Sequence, residues 1–136
     1  MEVPLKEEVY SLEFKSLEII MGLSGDKDSI LKEMESGDYP LSFWLSVLTN
    51  YIRNYSCYSG FPPIEIVGNK ILEKTKSNKD LVHVYAKVLF ASLYFSKNID
   101  EVEAFKNKCV VRMRKEMSTE EFINLFDEEK ERQLGG

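Results

Sequence analysis

An all-α fold is what this sequence predicts, as a single-domain bundle of about six to seven helices. Apolar residues recur at three- and four-residue steps along nearly the whole chain. No run alternates at period two beyond a few positions, and glycine, proline and small polar residues interrupt the pattern at helix-length intervals. The chain has 136 residues, 43% hydrophobic and 30% charged. A chain of that size buries enough surface for one core without a metal or disulfide staple.

The first predicted helix spans about residues 4–21. Leu5, Val9, Leu12, Ser16 and Ile19/Ile20 share a face, and Glu7, Glu8, Glu13, Lys15 and Glu18 fall between them. Pro4 suits the first turn, where a missing N–H costs nothing, and Gly22 and Gly25 end the segment. Asp26 or Asp28 caps a short second helix through Ser29 to Met34, closed by Gly37.

Asp38-Tyr39-Pro40 is turn chemistry, and it opens a third helix at about 41–56. Leu41, Trp44, Leu45, Leu48, Ile52 and Tyr55 form one stripe there, and Phe43, Val47 and Tyr51 form a second. A helix apolar on two faces is buried on two sides, so this segment belongs at the centre. Ser56 to Pro63 is the clearest break, stiffened by Pro62 and Pro63, and Pro63 can open a fourth helix to about residue 77. Ile64, Val67, Ile71 and Leu72 are its inner face.

Asp80 is the expected N-cap of a fifth helix, about 80–97, which carries Leu81, Val84, Tyr85, Val88, Leu89, Phe90, Leu93 and Tyr94. It is the second central helix. Lys97 to Asp100 separates it from a sixth, with Val102, Phe105, Cys109, Val110 and Met113 facing inward. Ser118-Thr119-Glu120-Glu121 matches a capping box and starts a last helix to about Gln133. Residues 1–117 thus read as the bundle core and 118–133 as an amphipathic acidic helix packed on the same domain. Residues 134–136 read as a flexible tail. Nothing recurs at the 34-residue spacing of helical repeats.

Composition narrows the function. Eighteen basic against 23 acidic residues give a net charge of −5, which disfavours a general nucleic-acid coat. The N-terminus lacks the basic-then-apolar order of a secretory signal, and the densest apolar window, Val82 to Phe95, is too short to span a bilayer. Cys57 and Cys109 sit 52 residues apart in unlike contexts and read as free thiols of a cytoplasmic protein.

Catalytic material is sparse. His83 is the single imidazole, and neither cysteine lies in a nucleophile signature. One histidine and two distant cysteines do not make a zinc set, and no phosphate-cradling glycine motif occurs. The expectation is a protein with no catalytic residues, no metal and no cofactor. It is read as a non-catalytic interaction, scaffold or adaptor module whose partner is another protein or a second copy, with no membrane role.

Three features are candidate surfaces. Tyr39, Phe43, Trp44, Tyr51, Tyr55, Tyr58 and Phe61 fall within 23 residues, and aromatic rings are enriched at binding hot spots. In that region Tyr58, Phe61, Pro62 and Pro63 form a stiff candidate docking loop, whereas the helical rings serve equally as core. On the last helix Phe122, Ile123 and Phe126 make an apolar knob that docks on its own bundle or in a partner's groove.

The third feature is charge. Lys106, Lys108, Arg112, Arg114 and Lys115 place five cations in ten residues, with Lys108, Arg112 and Lys115 on one helical face. From Glu116 onward seven acids face only Lys130 and Arg132, so the whole net charge of the chain lies in that segment. A cationic face suits phosphate or a nucleic-acid backbone, which makes a nucleic-acid-associated subunit the alternative function. The same charges also complement the dipoles of adjoining helix ends. A small enzyme without a recognisable motif is the third reading.

Overall fold

A computed structural model describes residues 32, 36, 38–53, 64–95 and 98–134. The fold is all-α, with no strand among the described residues. Five helices follow one another: α1 (Leu41–Arg53), α2 (Ile64–Lys74), α3 (Asn78–Tyr94), α4 (Asp100–Glu116) and α5 (Thr119–Leu134). The predicted helix at about 4–21 and the docking loop of Tyr58, Phe61, Pro62 and Pro63 lie outside the described residues. Of the predicted second helix, Lys32 and Ser36 are helical. Five complete helices thus stand among the described residues, against the six to seven expected of the whole chain.

The helices form a closed ring with one appendage. α1 packs on α2 and α3, α4 packs on α2 and α3, and α5 lies against α3. Thus α3 is shared by three neighbours. One core cluster joins residues from α1 to α4.

Both apolar stripes of α1 are buried: Trp44, Leu45, Leu48 and Ile52 on one, Phe43, Val47 and Tyr51 on the other. At its entrance the Pro40 carbonyl accepts from the amides of Phe43 (3.0 Å) and Trp44 (3.4 Å). The Tyr39 ring stacks on Phe43 at 4.2 Å and meets Trp44 edge-on at 5.9 Å. Trp44 is fully buried, and its Nε1 has no acceptor among the described residues. An orphan donor costs about 1–3 kcal/mol, less than the roughly 3–5 kcal/mol a buried tryptophan contributes through packing.

The N-cap of α3 is Ser77, not the expected Asp80. Ser77 has extended backbone, and its hydroxyl accepts from the Asp80 amide at 3.1 Å. The serine is favoured because Asp80 then lies in the first turn, where its charge still faces the helix dipole. Leu93 and Tyr94 also depart from the expected inner face, being 65% and 81% exposed. Tyr94 shares its helical face with exposed Lys87, seven residues earlier. Leu93 shares one with buried Ala86, so the cover over Ala86 ends before the last turn.

α4 begins at Ile99 without a side-chain cap; Asp100, Glu101 and Glu103 fill its first turn, and Arg114 and Lys115 its last. That arrangement satisfies both ends of the helix dipole. Half of the capping box at α5 is formed. The Ser118 hydroxyl accepts from the Glu121 amide at 3.1 Å, but the Glu121 carboxylate instead accepts from Asn78 Nδ2 at 3.0 Å. Asn78 also donates to the Glu116 carbonyl at 3.3 Å, so the first residue of α3 ties down the α4–α5 corner. Leu134, expected in a flexible tail, is the last residue of α5.

Gly68 of α2 lies directly against Phe105 of α4. A Cβ built there would lie 2.8 Å from Cδ2 of Phe105, a ring only 3% exposed. Replacing Gly68 with alanine should destabilise the protein by about 1–2 kcal/mol, because an overpacked core must shift backbone or ring. Urea unfolding measures this directly, and Phe105→Leu in the Gly68→Ala background should restore part of the loss.

Candidate functional site

The most elaborate polar arrangement among the described residues joins α3 to α5. Phe122, Leu125 and Phe126 form the inner stripe of α5, with Phe122 and Phe126 stacked at 5.5 Å. Phe122 and Phe126 approach Tyr85, and Phe126 also meets Phe90 at 5.8 Å. Three residues beyond Phe126 the same stripe reaches Glu129. The register that buries the phenylalanines therefore buries a carboxylate, and Glu129 is only 2% exposed.

Glu129 has three donors. His83 Nδ1 lies 2.9 Å from its Oε2, Arg132 reaches Oε1 at 2.8 Å, and Gln133 donates to Oε2 at 3.2 Å. Burial pushes this carboxyl up, but the hydrogen bonds from His83 and Gln133 and the charges of His83 and Arg132 outweigh it. Glu129 is therefore held below the usual glutamate range and is ionised. An ionised acceptor fixes the imidazole with its proton on Nδ1, leaving Nε2 for another partner.

His83 also lines a cavity of about 260 Å³ between α1 and α3, together with Ser42, Leu45, Ser46, Thr49 and Lys87. An imidazole oriented by a carboxylate can take up or release a proton at Nε2. Among the described residues neither Ser42 nor Ser46 is hydrogen-bonded to it. Ser46 accepts from Asn50 Nδ2 at 3.5 Å, and Thr49 donates to the Ser46 carbonyl at 3.2 Å. The nucleophile–base hydrogen bond of a serine hydrolase is thus not formed here.

Cys109 is buried, and its thiol is pushed up to about 12 by desolvation, against a smaller opposing effect of the Arg112 charge. A thiol so placed is a packing group rather than a nucleophile. Cys57 lies outside the described residues.

The cationic cluster is divided by the helix it sits on. Lys108, Arg112 and Lys115 line one shallow groove between α2 and α4, together with Leu72 and Val111. Arg114 lines a different cleft, beside Tyr85, Met113, Met117 and Phe122. Lys106 is paired with Glu103 at 2.6 Å. Arg112 is committed to the fold: it donates to the carbonyls of Leu72 (3.0 Å) and Thr75 (2.7 Å) and to Glu116 (3.2 Å). Two carbonyls at the end of α2 are capped in this way by a side chain from α4, the Leu72 oxygen also accepting from the Thr75 amide at 3.3 Å.

The apolar knob of the last helix is likewise divided. Phe122 and Phe126 are half-buried against α3, whereas Ile123 is 49% exposed and Leu134 64%. Glu129, Arg112 as a cap, and the His83 cavity are all residues that sequence reasoning missed. Glu129 had a signal, because one heptad step from Phe122 lands on it. No helix among the described residues is long and apolar enough to cross a membrane. The chain matches no protein-family model, no curated protein and no solved structure.

Proposed function

We propose that this chain is a non-catalytic helical interaction module, an adaptor of the cytoplasm, and that its docking face is the outer face of α5. The observation carrying this reading is the exposure of Ile123 and Leu134 on one side of a helix whose opposite side is already packed on α3. Eleven residues separate them, about 16 Å along the axis at 1.5 Å per residue. Asp127, Lys130 and Glu131 lie between them and, with Leu134, border a shallow depression. Glu120 and Glu128 are exposed nearby.

Two apolar anchors separated by a net-acidic strip fit an amphipathic helix with apolar residues at its ends and basic residues between. Asp127 and Glu131 against the single Lys130 leave the strip between the anchors net acidic, and the reading is that the partner is a different, basic chain. Exposed apolar residues supply affinity and the acids supply orientation.

Fluorescence anisotropy with two synthetic amphipathic helices tests this, one carrying lysines and the other glutamates between its apolar anchors. The basic peptide should bind, weaken as salt rises, and lose about tenfold or more in affinity when Ile123→Asp is introduced. Equal binding of both peptides, or no effect of Ile123→Asp, removes the reading. Nuclease-sensitive capture dependent on Lys108 and Lys115 would favour the nucleic-acid alternative instead.

A further inference from the structure

The cavity between α1 and α3 has no role in that docking face, and its chemistry is of another kind. Lys87 stands exposed at its rim with no hydrogen bond or ion pair among the described residues. His83 contributes an imidazole whose Nδ1 is taken by Glu129, which leaves Nε2 unengaged. Ser42 and Ser46 sit one turn apart on α1 and add two hydroxyls, while Leu45 gives the cavity an apolar wall. The charged groups in contact with the imidazole or lining its cavity are Lys87 on its own helix and Glu129, with Arg132 behind it, on α5, while Lys79 and Asp80 stand one turn before it on its own helix. From α1 it meets hydroxyl and leucine side chains.

We propose that this cavity binds a phosphate-type oxyanion between Lys87 Nζ, the Nε2–H of a protonated His83, and the hydroxyls of Ser42 and Ser46. With His83 protonated, the ring, Lys87 and Arg132 are three cations against the one carboxylate of Glu129, so the cavity side of the ring favours an anion. Four donors from four side chains suit a tetrahedral oxyanion better than a carboxylate, which offers acceptors in one plane. Glu129 has a positioning role: it turns the ring so that the second nitrogen is the one available, as carboxylates do for metal-bound histidines. A ring with its Nδ1 proton on Glu129 donates to the anion only when Nε2 also carries a proton, so anion binding favours the doubly protonated ring.

His83 is the only histidine of the chain, so its ring resonances are unambiguous in the spectrum of the full-length protein. We would titrate inorganic phosphate, and separately acetate, into labelled protein at about pH 6 and again at about pH 8.5, on either side of the ordinary histidine range. Phosphate should shift the His83 ring saturably at the lower pH and more weakly at the higher, and acetate should bind more weakly than phosphate. Lys87→Gln should weaken phosphate by about fivefold or more. That variant changes an exposed side chain, and unchanged dispersion elsewhere in its spectrum reports an intact fold. Ile123→Asp should leave phosphate binding unchanged, which separates this site from the α5 docking face. A His83 shift that fails to saturate by about 10 mM phosphate, or one that Lys87→Gln leaves untouched, overturns the proposal.

Discussion

Arg112→Ala should lower the stability of the protein by about 2–4 kcal/mol, two charge-assisted hydrogen bonds to carbonyl groups being lost together. The guanidinium donates to Leu72 at 3.0 Å and to Thr75 at 2.7 Å; the Leu72 oxygen keeps a longer bond from the Thr75 amide at 3.3 Å, whereas Arg112 is the donor seen at the Thr75 oxygen among the described residues. The Thr75 side chain is occupied with the Ile71 carbonyl at 2.6 Å, so it does not compensate. Lysine at position 112 should recover little, because one ammonium does not reproduce a fork that spans two carbonyls. Charge reversal at Lys108 or Lys115, by contrast, should move stability by about 0.5 kcal/mol or less, as expected for exposed residues. Thermal unfolding of the four variants distinguishes the two classes. Equal losses at positions 108, 112 and 115 would show that the groove works as a general cationic surface and not through one capping arginine.

Glu129→Ala should cost about 2–3 kcal/mol at neutral pH, because it strands His83, Arg132 and Gln133 at the α3–α5 contact. Two of those partners reach water, with Arg132 54% and His83 33% exposed, which keeps the loss below that of a fully buried pair. The pH dependence has a definite sign. A carboxyl held lower in the folded state than in the unfolded chain stabilises folding above the unfolded value and ceases to do so as pH falls through the folded one. The stability difference between the parent protein and Glu129→Gln should therefore be full at pH 7 and vanish in acid, below the ordinary glutamate range. Urea midpoints at about pH 7 and about pH 3 measure it. A difference that persists unchanged in acid would place the effect in packing and not in charge.

The side chains that pack by shape were legible before any coordinates. Both stripes of α1 follow from spacing alone, because a ring or a branched chain at a three- or four-residue step has one physical reason to be there. The same logic reached Phe122 and Phe126 but stopped at Glu129, whose burial depends on a histidine 46 residues away. Arg112 was hidden for a different reason. Its acceptors are main-chain carbonyls, which every residue possesses, so no letter in the sequence announces them. Gly68 is silent in the same sense, since the ring that requires it lies on another helix. The α1–α3 cavity combines both difficulties, because four unremarkable residues from two segments become a site only when the helices meet.

The position of α5 at the edge of the ring bears on how the molecule opens. Among the described residues it packs chiefly on α3, while α1 to α4 close on one another through the common core. A peripheral element with one main neighbour detaches at lower free energy than the rest, so amide exchange in α5 should exceed that in α1 and α3. Such an opening would carry Glu129 into water, bare Tyr85 and Phe90, and release His83 to rotate. The peptide proposed for the outer side of α5 and the anion proposed for the His83 cavity would then both report on the same local unfolding equilibrium.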